Sequence, residues 1–171
     1  MQIEFGGIIL EIGSDKRAKV EAKSDFLLAA ERGDAFIWTR ETAVFTALDT
    51  ILCVRNDNPN KALHIEKVIL ESSHAITEIE MHRITAAYTS AGTVVVGTNL
   101  LPGGGAAEAS GVADETGNTQ GTVIERRVIH ASIPVEINFK GSVKLNNAQA
   151  FGIDSTLGDD WIYASIWGYF K

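Results

Sequence analysis

Alternation with a period of two runs through this chain and restricts its fold more than any other feature. In the segment 133–140, Ile133, Val135, Ile137 and Phe139 fall on one side of an extended backbone. Pro134, Glu136, Asn138 and Lys140 fall on the other. Such a pattern marks a half-buried β-strand. Pro134 has no N–H to give, so the strand begins there or lies at a sheet edge. Gly141-Ser142 then predicts a turn before Val143-Lys144-Leu145.

Segments of the same kind recur: 2–12, 19–23, 35–38, 43–45, 50–55, 62–71, 76–85, 93–96 and 122–130. Gly, Asn, Asp or Ser punctuates them, and these segments upstream of 133–140 alone make about nine or ten strand candidates. The only helix the pattern predicts covers 24–32, with Ser24 as N-cap and Gly33 as terminator. Strands and helices do not alternate as a parallel α/β fold requires. The expectation is an all-β protein: an antiparallel β-sandwich, jelly-roll-like, with at most one short helix. At 171 residues it is a single domain spanning 1–171.

The last strand, 161–171, departs from the usual pattern. Ile162, Ala164, Ile166 and Phe170 share one face, and Trp161, Tyr163, Trp167 and Tyr169 share the other. An antiparallel sheet commonly keeps one wet face. An aromatic second face predicts cover on both sides, from elsewhere in the chain or from a partner subunit.

Charge and composition exclude several roles. The net charge of -7 argues against a primary role on nucleic acid, which needs a clustered positive face, and does not support binding to an anionic membrane surface. No apolar run reaches the roughly 18 residues of a membrane span. The opening residues lack the basic and apolar regions of a secretory signal, which predicts synthesis in a cytoplasm. A single cysteine, Cys53 in an apolar run, rules out an internal disulfide and reads as a small buried hydrophobe.

Three loops were candidates for chemistry. In 56–61, Asn and Asp side chains can cap their own backbone, so hairpin geometry explains the sequence without calcium. The segment 99–121 reads as a long Gly/Ala-rich loop. Its three consecutive glycines lack the Lys-Ser/Thr of a phosphate loop, so an excursion towards a neighbouring subunit or a flexible tip fits better. The aspartates of 154–160 read as a solvated turn. Glu78, Glu80 and His82 alternate on one face of a strand, where a cation is conceivable but a wet polar side is simpler. No metal ligand set, cofactor motif or catalytic nucleophile emerges, and a non-enzymatic binding role is expected.

Two stretches carry a resemblance: 52–65, a strand, an Asn-rich turn and a returning strand, and Thr98-Asn99-Leu100 leading into Ala106-Ala107-Glu108-Ala109. With the strand layout, they make the chain similar to small virion proteins of tailed bacteriophages, most like jelly-roll capsid decoration (cement) proteins. The resemblance implies a homo-oligomer, often a trimer, bound to the major capsid protein or other virion proteins, without cofactor or catalytic residues. It implies a location in the virion after synthesis in the host cytoplasm. The candidate interface residues are Trp161, Tyr163, Trp167 and Tyr169, with Leu100, Leu101 and Pro102 in the small-residue segment. Alternatives are a phage tail, baseplate or fibre component, or a carbohydrate-binding sandwich. Exposed coplanar aromatics would favour the sugar reading, and buried ones would favour assembly.

Overall fold

The computed structural model describes residues 2–5, 8–12, 18–42, 50–85, 92–114, 121–156 and 161–171. The sequence-predicted strand 43–45 and the acidic residues Asp159 and Asp160 lie outside them. Near the start, β1 (Gln2–Phe5), β2 (Ile8–Ile12) and β3 (Ala18–Ala22) form a three-stranded antiparallel sheet. Helix α1 (Asp25–Arg32) follows. The strands after it are β4 (Ala35–Thr42), β5 (Thr50–Asn56), β6 (Leu63–Ser72), β7 (Ile76–Ile84), β8 (Thr93–Val95) and β9 (Thr98–Asn99). Next come β10 (Ala109–Ala113), β11 (Thr122–His130), β12 (Val135–Leu145), β13 (Ala150–Ser155) and β14 (Ile162–Phe170).

Pairing of these strands is nested. β4 pairs β14, β5 pairs β13, β6 pairs β12 and β7 pairs β11, all antiparallel. A chain folded back on itself in this way and rolled into two layers is a jelly roll. One layer has the order β11-β7-β13-β5-β10-β8 and the other β12-β6-β14-β4-β9. Strands β8, β9 and β10 lie in the connection between β7 and β11, at the tip of the nested hairpin. They return to the opposite edge, where β10 joins β5 and β9 joins β4.

Alternating residues of both layers fill the core, among them Trp38, Leu52, Val54, Met81, Phe151, Ile153, Ile65, Val68, Leu70 and Ile166. Along β6 the buried positions are Leu63 and Ile65, then Val68, Leu70 and Ser72. The parity changes at Glu66-Lys67, where the ladder with β14 shifts register. A bulge there lets one strand serve the core throughout, because a shift of one residue exchanges the faces.

Two sequence-predicted boundaries differ for related reasons. Gly141-Ser142 is not a hairpin turn: β12 runs through it with a bulge, and Lys140 and Gly141 have φ of 52° and 72°. Left-handed backbone at these two positions absorbs the extra residues without ending the strand. The segment 99–121 is not wholly loop, since Ala109–Ala113 forms β10 between β5 and β8. Small residues with low strand preference are used here because the backbone must come close to Trp38: a Cβ on Gly111 would lie 2.9 Å from the Trp38 ring.

Candidate assembly surface

Helix α1 explains half of the aromatic face of β14. Ser24 Oγ accepts from the Leu27 N–H at 3.2 Å, and Gly33, with φ of 78°, closes the other end. Asp25 and Arg32 complement the helix dipole at the two termini. The helix lays Phe26 on β14, with its ring centroid 6.3 Å from Trp167 and 6.0 Å from Tyr169. On the other side of Tyr169 stacks His64, 5.3 Å away and 17° from parallel. The Nδ1 of His64 lies 2.8 Å from the Gly141 carbonyl, so that nitrogen carries the proton and donates. Burial pushes the Tyr169 phenol above its ordinary range.

Trp167 is half-buried and lies under the Lys67 ammonium, 4.6 Å from the ring centroid. Lys67 also binds Glu136 at 2.8 Å, and that hydrogen bond holds the exposed Glu136 carboxyl below the usual range. The cover that the sequence demanded therefore comes, for Tyr169, from this chain: the residue is 4% exposed and packs with Ala29, Ala35, Phe26, Ala30 and Leu100. Trp161 and Tyr163 stand at the far end of the strand. Trp161 meets Ser73 through backbone bonds, and Tyr163 lies between Glu41 and Glu71 in register.

The structure brings Leu100, Leu101 and Pro102 to the C-terminal end of α1 through Asn99. Its Nδ2 donates to the carbonyls of Gly33 and Gly105 at 2.9 and 2.8 Å, and its Oδ1 accepts from the Leu101 N–H. Leu100 is drawn into the helix contact, whereas Leu101 and Pro102 remain exposed. Of the sequence-predicted interface residues, Trp167, Tyr169 and Leu100 thus converge on α1. Trp161 and Tyr163 do not join them.

Gly141 offers a direct check on this arrangement. A Cβ there would strike the Tyr169 hydroxyl, and the left-handed backbone alone costs a side chain about 1–2 kcal/mol. At about 2–4 °C per kcal/mol for a domain of this size, Gly141→Ala is expected to lower the melting temperature by about 2–8 °C in differential scanning calorimetry. An unchanged melting temperature would mean that the bulge and the Tyr169 stack are not coupled.

Two other sequence-predicted features take definite form. Asn56 and Asn58 turn inward as a hydrogen-bonded hub rather than outward as ligands: Asn58 Oδ1 accepts from the N–H groups of Asn60 and Lys61, both at 2.7 Å. Glu80 and His82 do share a face, but not a wet one: they are 8% and 1% exposed. His82 Nε2 lies 3.4 Å from Glu80 and 3.2 Å from Asp154, and Arg126 pairs Glu80 from β11. Asp154, which the sequence placed in a solvated turn, ends β13 and is buried. The Arg126–Glu80 ion pair, with His82 close to Glu80 and Asp154, makes a polar cluster across three strands where solvent was expected. Among the described residues no group of three or more His, Cys, Asp or Glu side chains is placed to hold a metal ion.

Sequence reasoning missed the apolar rims. Val94, Val96, Val128 and Ile133 are each more than half exposed, at the two lateral edges of the sandwich and the β11–β12 turn. The signal was present in Thr93-Val94-Val95-Val96, which carries valine on both faces of a strand. No protein-family model matches this chain, and no curated protein or solved structure matches it significantly.

Proposed function

We propose that this chain is a virion structural protein, a capsid decoration (cement) protein that binds the major capsid lattice and stabilises the head. The observation carrying this reading is the set of apolar side chains open to solvent along the sandwich rims, with Val94 at 73%, Val96 at 76% and Ile133 at 58% exposed. Exposed apolar side chains grouped at an edge mark contact with other protein chains. A sandwich presents such rims laterally, as a subunit seated among lattice neighbours requires. The role is non-enzymatic and uses no cofactor.

The aromatic residues favour this reading over a sugar platform. The described aromatic side chains of α1 and the two layers are all buried or half-buried, and Phe26, Trp167 and Tyr169 meet at tilted and edge-on angles. A sugar-binding face needs coplanar rings open to solvent. Tail, baseplate and fibre proteins share the same rims, so the experiment separates the positions. Purified chain is mixed with empty phage capsids that lack it, and with tails, and each mixture is sedimented. Saturable binding to capsids, with a raised temperature of capsid disruption, is expected. Binding to tails alone, or to neither particle, overturns the decoration role.

A further inference from the structure

The two edges of the six-stranded layer are built differently. At one edge, β11 has Glu125, Arg126 and Arg127 and a register shift between Val123 and Glu125. Charges and bulges of this kind are how proteins keep an edge from pairing. At the other edge β8 pairs, among the described residues, only β10, and carries no charge or bulge. Its sequence, Thr93-Val94-Val95, continues into Val96 and Gly97 without a charge or proline. Val94 and Val96 are the most exposed large hydrophobic residues described, while Val95 between them points into the core.

Register adds a second observation. Cys53, Val112 and Val94 lie side by side across β5, β10 and β8. Cys53 and Val112 are buried, so this apolar row is covered inside the sheet and open only where the sheet stops. Beside the open end runs a groove of about 350 Å³, lined by Val94, Val96, Ala106, Ala107 and Ala109. An extended strand with apolar residues two apart would continue this row.

We propose that a second copy of this chain completes it. Two β8 strands pair antiparallel about a twofold axis at Val95, which sets Val94 of one copy beside Val96 of the other and continues the sheet through both molecules. The edge meets its own requirement, since it presents apolar residues two apart with no charge between them. Chains of net charge -7 repel over most of their surface, and this uncharged rim is where they can approach. Specific interfaces bury about 1,200–2,000 Å², and a ladder of about four residues falls below that range. The pairing is therefore weak and concentration-dependent. It rests on the proposed role as an assembly protein and names a surface for self-association.

Sedimentation velocity on purified chain across a hundredfold concentration range tests this. The mean mass should rise from 18.4 kDa towards twice that value. The double variant Val94→Lys, Val96→Lys should raise the dissociation constant at least about a hundredfold through like-charge repulsion, with an unchanged melting temperature. Wild-type protein that stays at one chain's mass throughout overturns the proposal. So does a lysine variant that associates like wild type, which would move the oligomer contact elsewhere and leave the homo-oligomer reading standing. Val94→Ala, Val96→Ala keeps the test open if the lysines unsettle the edge, and should weaken association by at least about tenfold. Capsid binding is scored separately, so its failure would count against the virion role and not against the β8 seam.

Discussion

Trp38→Ala is expected to remove about 3–5 kcal/mol of folding free energy, the cost typical of deleting a buried tryptophan. Trp38 sits on β4 between the layers and is fully buried. Phe36 lies beside it at 6.0 Å between ring centroids, and three glycine backbones close around the indole. A Cβ on Gly97 would come within 2.7 Å of Nε1, one on Gly111 within 2.9 Å of Cδ1, and one on Gly168 within 3.6 Å of Cζ3. These glycines come from the bend after β8, from β10 and from β14. The indole is thus the floor on which the β8–β10 insertion lies, as well as a core residue.

That double role gives the prediction a second readout. Hydrogen exchange of the Val95 and Val112 amides should accelerate in Trp38→Ala more than exchange of the β6 amides. Urea denaturation measures the total loss. A loss under about 1 kcal/mol, with unchanged exchange, would mean that something other than Trp38 holds the insertion. Trp38→Phe should be milder: Nε1 has no hydrogen-bond partner, and removing a buried unpaired donor offsets part of the lost contact. Gly97→Ala should also cost less in a Trp38→Phe background than in wild type, because the smaller ring leaves room for the methyl group.

Asn56→Ala carries the other large effect, about 2–4 kcal/mol, since it leaves several buried polar groups without partners. The Asn56 side chain is wholly buried. Its Nδ2 donates to the carbonyls of Lys61 and Leu145, both at 2.9 Å, and its Oδ1 accepts from the Asn58 N–H at 2.8 Å. Asn58 in turn donates to the Glu108 carboxylate. One amide therefore joins the β5–β6 turn to the end of β12, and its neighbour joins the turn to the insertion. Every hydrogen-bonding group of the Asn56 amide has a use, and such fully satisfied networks are costly to open.

Asn56→Asp separates hydrogen bonding from volume. It keeps the acceptor but replaces the donor with a second acceptor, which then faces the carbonyls of Lys61 and Leu145. Burial beside two carbonyl oxygens raises the carboxylate's folded pKa above the unfolded value of about 3.9. Stability relative to wild type should recover at low pH and be lost as pH rises through the raised value. Thermal melts of both proteins between about pH 3 and pH 7 measure this. A deficit independent of pH would show that the aspartate escapes to solvent and that the network is not closed.

Much of the secondary structure was legible because it is local. The segment 122–130 was bounded correctly by its β-branched residues and the Gly and Ser punctuation around it, and the helix from Ser24 to Gly33 by its caps. β13 was not legible. Its residues Ala150–Ser155 are all buried, so they show no wet face, and Gly152 and Asp154 read as turn signals. In the structure Gly152 lies in register between Cys53 and His82, and Asp154 lies opposite Glu80. The candidate site divides in the same way. The sequence showed that the second face of β14 had to be covered, but α1 supplies the cover for Tyr169 from more than a hundred residues away.

By itself, then, the sequence determined most of the described extended segments, the one capped helix and hence an all-β sandwich. These follow from backbone geometry and side-chain period, which act within a few residues. Only the tertiary structure decided the nesting of β4 to β7 against β14 to β11, the burial of Glu80 and His82, and the path of β8–β10 across to the far edge. Each depends on which distant strand lies alongside. Strand preference is largely a matter of neighbours in the sheet, and those neighbours are set by the whole fold.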